Sequence, residues 1–158
     1  MHGIYAPGQG ATGDLQIADM QTSGNAASGL YVGNALIVRC QASGNGIDGI
    51  NAVSSVVSES TAIGNRSIGF NLSDSTLQHS VSIYNESGVA MSGGSATNNT
   101  VHSNQEYGFL FGAISPLHFA VSVFGGNAIY DNAAGDVYMD LGSYAFSQKN
   151  NACSNGLC

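Results

Sequence analysis

Charged side chains are scarce in this sequence. They make up 8% of its 158 residues, compared with roughly 25% in ordinary globular proteins. Lys and Arg together number three, and the formal net charge is −7. Proteins that bind nucleic acid or anionic membrane surfaces need several cationic side chains to neutralise phosphate groups. The composition therefore excludes nucleic acid as an expected partner and argues against binding to anionic membranes.

Long apolar segments are also missing. The sequence contains no run of about 18 apolar residues, so we expect no transmembrane helix and no membrane insertion. Residues 1–5 lack the basic and apolar regions of a secretory signal peptide. The four histidines, at positions 2, 79, 102 and 118, do not form the close pairs typical of a zinc site. We therefore expect no metal ligands.

Three cysteines are present. Cys40 lies in a periodic apolar stretch, and we predict that it is a small core residue. Cys153 and Cys158 flank a short segment at the end of the sequence. These two can form a disulfide in an oxidising compartment, and their redox state stays open at this point.

A repeat of about 20 residues dominates the sequence. Asparagine recurs with spacings of 20, 20, 20 and 19, at Asn25, Asn45, Asn65, Asn85 and Asn104. A glycine follows each asparagine after three or four residues, and alternating apolar residues follow each glycine. Alternation with a period of two indicates short β-strands, and glycine and asparagine at this density would break a helix. Such strands can bury a face only by stacking on neighbouring repeats.

The repeat predicts an all-β fold, a right-handed single-stranded parallel β-helix of about seven coils. Equivalent side chains of successive coils should then lie about 4.8 Å apart. Three inward columns follow: Leu30/Ile50/Phe70/Val89/Phe109, Val32/Ala52/Leu72/Met91/Phe111 and Ile17/Ile37/Val57/Leu77/Ala96.

The recurring asparagines have two structural interpretations. They can form a stacked ladder of side-chain amides, which stabilises parallel in-register strands. They can instead supply left-handed turn geometry, which asparagine tolerates well. Neither interpretation makes them catalytic.

The length suits one domain, residues 1–158. This domain can be the C-terminal part of a longer β-helix, and residues 143–158 are predicted to be a C-terminal cap or tail. Two coils are longer than the others, with extra residues near 7–13 and 112–120. Insertions in a solenoid form loops, and the second insertion is apolar enough to cover an end of the core.

The pattern Ser-Gly-Asn-x-x-x-Gly-Φ-x-Φ, where Φ is apolar, occurs at residues 23–32 and 43–52. It resembles the right-handed β-helix repeat proteins of the pectin-lyase-like superfamily, including the group related to the copper-accessory protein of nitrous-oxide reductase. The resemblance implies the β-helix fold and an extracellular, periplasmic or cell-surface location. Most members act on or bind polysaccharide, as lyases, hydrolases, epimerases, tailspikes or adhesins.

The sequence lacks the catalytic motifs that this resemblance implies for an enzyme. The groove-facing positions of the first strand would be Tyr31, Asn51, Asn71, Ala90 and Leu110, and none is acidic or basic. The calcium-binding acidic cluster and the basic residue of the lyases are missing, as are the paired-acid motifs of the hydrolases. Asp48 and Asp74 flank the first strand, and we predict that both are solvated turn carboxylates.

A polar column on the outside of the coils has two interpretations. Asp19, Arg39, Glu59 and His79 occupy the same position in successive coils. As an acid–base site, Arg39 would bind a substrate carboxylate while Glu59 or His79 transfers protons. As a structural feature, the column is a ladder of charges that alternate in sign on the solvent face.

These observations favour a non-catalytic β-helix module that binds polysaccharide or has a structural role at the cell surface. Tyr31, Asn51 and Asn71 are the candidate sugar contacts. The alternatives are a carbohydrate-active enzyme (lyase, hydrolase or epimerase) or a piece of one, and a segment of a tailspike-like or adhesin-like fibre. No cofactor is expected, and calcium enters only under the lyase alternative. The oligomeric state and the ligand stay open.

Overall fold

The computed structural model describes residues 1–8, 15–112, 121–140, 143–148 and 150–154. Within these ranges the chain forms 19 β-strands and no helix. In chain order the strands are β1 (Ile4–Ala6), β2 (Leu15–Ala18), β3 (Gln21–Ser23), β4 (Leu30–Gly33), β5 (Ala35–Val38), β6 (Gln41–Ser43), β7 (Ile50–Val53), β8 (Val56–Ser58), β9 (Thr61–Ile63), β10 (Ile68–Gln78), β11 (Val81–Ile83), β12 (Ser87–Thr97), β13 (Thr100–His102), β14 (Tyr107–Phe111), β15 (Val121–Gly125), β16 (Ala128–Tyr130), β17 (Gly135–Met139), β18 (Tyr144–Ser147) and β19 (Ala152–Cys153).

The strands stack in seven layers, and the chain winds around the axis about six times between the first layer and the last. The first strands of the layers pair in the order β1-β4-β7-β10-β12-β14-β17, and the third strands pair in the order β19-β16-β13-β11-β9-β6-β3. The second strands join the sheet of the first strands, because β10 and β12 each run for 11 residues and cover both positions. Neighbouring layers pair in parallel, for example β4 with β7 and β7 with β10. The predicted parallel solenoid of about seven coils is confirmed.

The core is built from the three predicted inward columns. Ile50 pairs with Leu30 on one side and with Phe70 on the other, and its side chain is 0% exposed. The columns that contain Leu72 and Leu77 are in register in the same way. Because apolar residues at equivalent positions stack on one another, each layer buries its apolar face against the apolar faces of the neighbouring layers.

The recurring glycine is explained by the close approach of the next layer. A Cβ atom built on Gly49 would lie 2.6 Å from the carbonyl oxygen of Gly69 and 2.8 Å from Asn65 Nδ2. Real Cβ atoms do not approach backbone atoms so closely. Any side chain at this position would therefore push two layers apart.

The recurring asparagines form the stacked amide ladder. The backbone N–H and the side-chain Nδ2 of Asn45 both donate to Asn65 Oδ1, at 3.0 and 2.8 Å. The same pattern links Asn25, Asn45, Asn65, Asn85, Asn104 and Asn132. The left-handed conformation belongs instead to the residue before each asparagine, for example Gly44 at φ 60° and Gly64 at φ 62°. The interpretation as left-handed turn residues is therefore wrong.

The ladder ends on a buried carboxylate. Asn132 Nδ2 donates to Asp136 Oδ1 at 3.2 Å, and Asp136 is buried. Asp136 lies in β17 opposite Gly108, so the last layer carries an aspartate where earlier layers carry the recurring glycine. The amides of the ladder all point the same way, and a negative charge at the donor end complements their summed dipole.

A second ladder runs beside the first and was not predicted. The backbone N–H of Cys40 donates to Ser60 Oγ at 3.1 Å, and that of Ser60 donates to Ser80 Oγ at 3.1 Å. The column continues with hydrogen bonds through Asn99, Asn127 and Asn151. Cys40 is a free and buried thiol at one end of this column, and burial raises the pKa of that thiol.

The predicted cap, residues 143–158, contributes strands to both sheets. β18 pairs with β15, and β19 pairs with β16. Cys153 is in a disulfide, whereas Cys158 lies outside the described residues, so their pairing stays a prediction. The two insertions, near residues 7–13 and 112–120, also fall almost entirely outside the described residues. The domain boundaries likewise stay predictions.

Candidate ligand-binding face

The outward side chains of the first strands form one continuous column across all seven layers. Parallel pairing places them in register, in the order Tyr5, Tyr31, Asn51, Asn71, Ala90, Leu110 and Tyr138. We call this set the floor column. At about 4.8 Å per layer it is about 29 Å long. The three candidate sugar contacts named from the sequence are therefore neighbours in space.

Aromatic rings occupy both ends of the floor column. The rings of Tyr5 and Tyr31 are stacked, with centroids 5.3 Å apart and planes 12° apart. His2 packs against both, at 5.3 and 5.5 Å. At the far end, the rings of Tyr107 and Tyr138 lie 4.7 Å apart. His2, Tyr107 and Tyr138 were not predicted as site residues, since His2 precedes the first repeat and the last layers match the repeat weakly.

Amide side chains occupy the middle of the floor column, and Asp48 holds them in place. Asn51 Nδ2 and Asn71 Nδ2 donate to Asp48 Oδ2 at 3.1 and 3.0 Å. The backbone N–H of Ile68 donates to Asp48 Oδ1 at 3.3 Å. Asp48 is only 3% exposed, so the prediction of a solvated turn carboxylate is wrong for this residue. Asp74, in contrast, is exposed at a bend of β10.

A shallow hollow lies beyond the amides. It has a volume of about 290 Å³. The small side chain of Ala90 forms its bottom between Asn71 and Leu110, with Ser92 and Gly112 along one side. The face thus offers aromatic surface, amide groups and a hollow along a single line.

The face carries no formal charge. The floor column contains no Asp, Glu, Lys, Arg or His. Within the described strands, the only Asp, Glu, Lys or Arg residues are Asp74, at its exposed bend, and the buried Asp136. The other charged residues of the described ranges lie in the turns. The interactions that the floor column itself can offer are therefore stacking, apolar contact and hydrogen bonds from neutral groups.

The outward polar column lies elsewhere, in the turn between the second and third strands. Asp19, Arg39, Glu59 and His79 all adopt left-handed backbone conformations there, with φ between 49° and 55°. Arg39 Nε and Nη2 donate to Asp19 Oδ1 and Oδ2 at 2.7 and 2.8 Å. These hydrogen bonds from Arg39 hold the pKa of the Asp19 carboxyl below its usual value of 3.8.

Two of the four residues of this turn column are in direct contact, Arg39 and Asp19. In the described part of the chain, the ion pair of Arg39 is with Asp19. His79 Nε2 lies 3.5 Å from Asn98 Nδ2 in the next layer. The side chains of Arg39 and Asp19 are 53% and 65% exposed. The structure therefore shows one exposed ion pair in this column, and the acid–base role of Arg39, Glu59 and His79 stays a prediction.

Neither a cluster of metal-ligating side chains nor a membrane-spanning helix occurs in the described residues. No group of three or more His, Cys, Asp or Glu side chains in them is placed to hold a metal ion. They form no helix with the length and hydropathy needed to cross a bilayer.

Comparison with solved structures shows the same fold. The periplasmic alginate epimerase AlgG superimposes with a TM-score of 0.76 at 16% identity, over 88% of this chain and 39% of that chain. A double mutant of AlgG superimposes with a TM-score of 0.76 at 15% identity, over 89% of this chain and 41% of that chain. The chain thus spans about two-fifths of the length of these epimerase structures. No curated protein is significantly similar in sequence.

A family model described as the right handed beta helix region matches residues 1–120, which is more than half of the chain. The matched segment includes the asparagine ladder from Asn25 to Asn104 and the floor column from Tyr5 to Leu110. The chain therefore belongs to the right-handed β-helix family.

Proposed function

We propose that this chain is a non-catalytic β-helix module that binds a polysaccharide along the floor column. The observation that carries the proposal is the in-register line of exposed groups from Tyr5 to Tyr138. A polysaccharide is itself a linear repeat, so it can make similar contacts with successive layers. The length of about 29 Å is sufficient for several sugar units.

The chemistry of the face fits a carbohydrate. Sugar rings present apolar C–H faces that pack on aromatic rings, and hydroxyl groups that pair with amides. Tyr5 is 64% exposed and stacked on Tyr31, which gives a flat aromatic platform at one end. The Asn51 and Asn71 side chains lie one and two layers beyond Tyr31. A segment suited to stacking is therefore followed by a segment suited to hydrogen bonding along the same line.

The absence of a base from the floor column supports a binding role rather than catalysis. Proton transfer to or from a sugar needs an acid or base of suitable pKa within hydrogen-bond reach of the reacting atom. Hydrolysis needs two carboxyl groups about 5 to 9.5 Å apart across the sugar. No carboxyl group belongs to the floor column, and the nearest described carboxyl, Asp48, is buried under the amides.

A second candidate function is that of a polysaccharide-modifying enzyme, or a piece of one. The similarity of the fold to AlgG, a periplasmic alginate epimerase, favours it. Under this alternative, catalytic groups would have to come from Arg39, Glu59 and His79 or from residues outside the described ranges. Turnover of alginate or polygalacturonate by the purified chain would establish the enzyme and refute the binding module.

We place the module outside the cytoplasm, in the periplasm, at the cell surface or in the extracellular medium. The disulfide at Cys153 supports this location, because structural disulfides persist in oxidising compartments. The structurally similar AlgG is a periplasmic protein. The scarcity of Lys and Arg also fits a polysaccharide partner better than nucleic acid.

The proposal is tested with two tyrosine variants. Tyr31→Ala removes an aromatic ring from the floor column, whereas Tyr130→Ala removes one from the opposite sheet, where Tyr130 stacks on His102 at 4.7 Å. Both variants lose a strand tyrosine from a stacked aromatic pair. A glycan array identifies the ligand, and titration calorimetry then measures the affinity.

We expect the Tyr31→Ala variant to lose about tenfold in affinity, equivalent to about 1.4 kcal/mol, and the Tyr130→Ala variant to bind as the unaltered chain does. Equal losses in both variants, or no glycan binding by the unaltered chain, would contradict the proposal.

A further inference from the structure

Asp48 sets the orientation of the two amides in the floor column. Its Oδ2 atom accepts hydrogen bonds from Asn51 Nδ2 at 3.1 Å and from Asn71 Nδ2 at 3.0 Å. Its Oδ1 atom accepts one from the backbone N–H of Ile68 at 3.3 Å. An ionised carboxylate can only accept hydrogen bonds. Both amides must therefore turn their NH₂ groups toward Asp48 and their carbonyl oxygens away from it.

The two amides consequently present the same chemistry to a ligand. Asn51 and Asn71 are half-buried neighbours in adjacent layers. One N–H of each NH₂ group is engaged by Asp48, and the group that each amide turns away from Asp48 is its carbonyl oxygen, which is an acceptor. A sugar hydroxyl can donate to such an oxygen, whereas the carboxylate of an acidic sugar cannot.

We infer that Asp48 is a specificity-determining positioning residue, which makes the floor column select neutral, hydroxyl-rich polysaccharides and reject acidic ones. This inference rests on the proposed function. The binding groups are Asn51 and Asn71, and Asp48 acts through them without touching the ligand, because it is buried.

Charge acts in the same direction as hydrogen bonding. An acidic polysaccharide would meet two carbonyl oxygens, a buried carboxylate beneath them and a chain with a net charge of −7. No Lys or Arg belongs to the floor column to compensate. A site discriminates against a wrong ligand when it places groups of the same partial charge opposite those of the ligand. The expected ligand therefore differs in charge from alginate, on which AlgG acts.

The substitution Asp48→Asn reverses the orientation. The Ile68 N–H still requires an acceptor, so the introduced amide keeps its oxygen at the position of Oδ1 and places its NH₂ group at that of Oδ2. Asn51 and Asn71 must then turn their carbonyl oxygens inward to accept from this NH₂ group. The floor column then presents two outward NH₂ groups in place of two outward carbonyl oxygens. Asp74→Asn is the matched control, because it removes the same charge at an exposed bend.

Affinities for one neutral and one uronic-acid oligosaccharide of equal length are measured by calorimetry for the three proteins. We expect Asp48→Asn to weaken binding of the neutral oligosaccharide about tenfold and to strengthen binding of the acidic one. Asp74→Asn should leave the ratio of the two affinities within about twofold of its original value. A loss of stability alone would lower both affinities together, so an unchanged ratio in the Asp48→Asn variant overturns the inference.

A measurement without ligand separates this inference from the proposed function. In ¹⁵N-labelled protein, the side-chain NH₂ protons of Asn51 and Asn71 should exchange with solvent more slowly than those of the exposed Asn34. In the Asp48→Asn variant this protection should fall. If the unaltered chain binds no glycan, the proposed function fails; if these NH₂ protons exchange as fast as those of Asn34, the orientation by Asp48 fails.

Discussion

Replacing one ladder asparagine by aspartate tests the energetic role of the ladder. Asn65 Nδ2 donates to Asn85 Oδ1 at 2.9 Å and to the carbonyl oxygen of Ala42 at 3.1 Å, in a buried setting. Asn65→Asp keeps the shape of the side chain but replaces the NH₂ group, which donates both hydrogen bonds, with an oxygen. Its other oxygen still accepts from Asn45, as Asn65 Oδ1 does. The substitution therefore removes two hydrogen bonds without creating a cavity.

The expected cost follows from these two contacts. A buried polar group that loses its partner costs about 1–3 kcal/mol, so two acceptors together cost about 2–6 kcal/mol. For a domain of about 150 residues this lowers the melting temperature by roughly 4–24 °C. The matched control is Asn34→Asp, the same chemical change at an exposed turn position with φ 51°, which aspartate tolerates. We expect the control to stay within about 0.5 kcal/mol of the unaltered chain.

The pH dependence of the Asn65→Asp variant has a defined sign. Burial among carbonyl oxygens raises the pKa of the introduced carboxyl above its unfolded value of about 3.9. The folded state then binds the proton more tightly, so the free energy of unfolding falls as pH rises through this range. Thermal unfolding followed by circular dichroism from pH 3 to pH 8, roughly spanning that range, measures the effect against Asn34→Asp. Equal melting temperatures for the two variants at neutral pH would refute the reasoning, as would a deficit that grows on acidification.

Two further predictions concern the packing of the layers and the exposed ion pair. Gly49→Ala should lower the melting temperature strongly, since its Cβ would lie 2.6 Å from a backbone oxygen of the next layer. The Cβ of Gly112→Ala meets no described atom within 4 Å, and this variant should be neutral. Similar melting temperatures for the two variants would show that the layers can separate. In an NMR titration, Arg39→Ala should raise the pKa of Asp19 toward its usual value of 3.8. The stability that this pair supplies to the unaltered chain is present above that usual value and is lost as pH falls through the lowered pKa; an unmoved Asp19 titration would show that Arg39 is not its partner in solution.

The register of the solenoid was accessible from the sequence because the repeat has a nearly constant length. A spacing of 20 residues between Asn25, Asn45 and Asn65 fixes which side chains stack, and the core columns follow from it. The ladder was harder to foresee, since the residue type alone permits a left-handed turn as well. Hydrogen-bond geometry between layers decides between the two, and the sequence does not contain that geometry.

The second ladder was missed because its members differ in type. Cys40, Ser60, Ser80 and Asn99 share a coil position and a hydrogen-bonding role, but no residue recurs often enough to mark the column. Ser60, Ser80 and Asn99 each supply a side-chain oxygen that accepts from a backbone N–H of the preceding coil. A search for chemical equivalence at a 20-residue spacing, rather than for identity, would have found it.

The environment of Asp48 was misjudged for a related reason. An aspartate that flanks a predicted first strand has the sequence context of a solvated turn, and Asp74, which also flanks one, is exposed. Asp48 is buried because Asn51 from its own layer and Asn71 from the next layer both converge on it. That convergence depends on a contact between Asp48 and Asn71, which are 23 residues apart in the sequence. No local pattern encodes it.

The equal length of successive coils has a consequence for how such a protein can change. Residues 29–48 and 49–68 contain the same strands in the same order, and each coil begins and ends at equivalent positions. An in-frame duplication of one such unit would add one complete layer and leave the pairing of both neighbouring layers unchanged. The floor column would then lengthen by about 4.8 Å for each copied unit, so the number of copies would set its length.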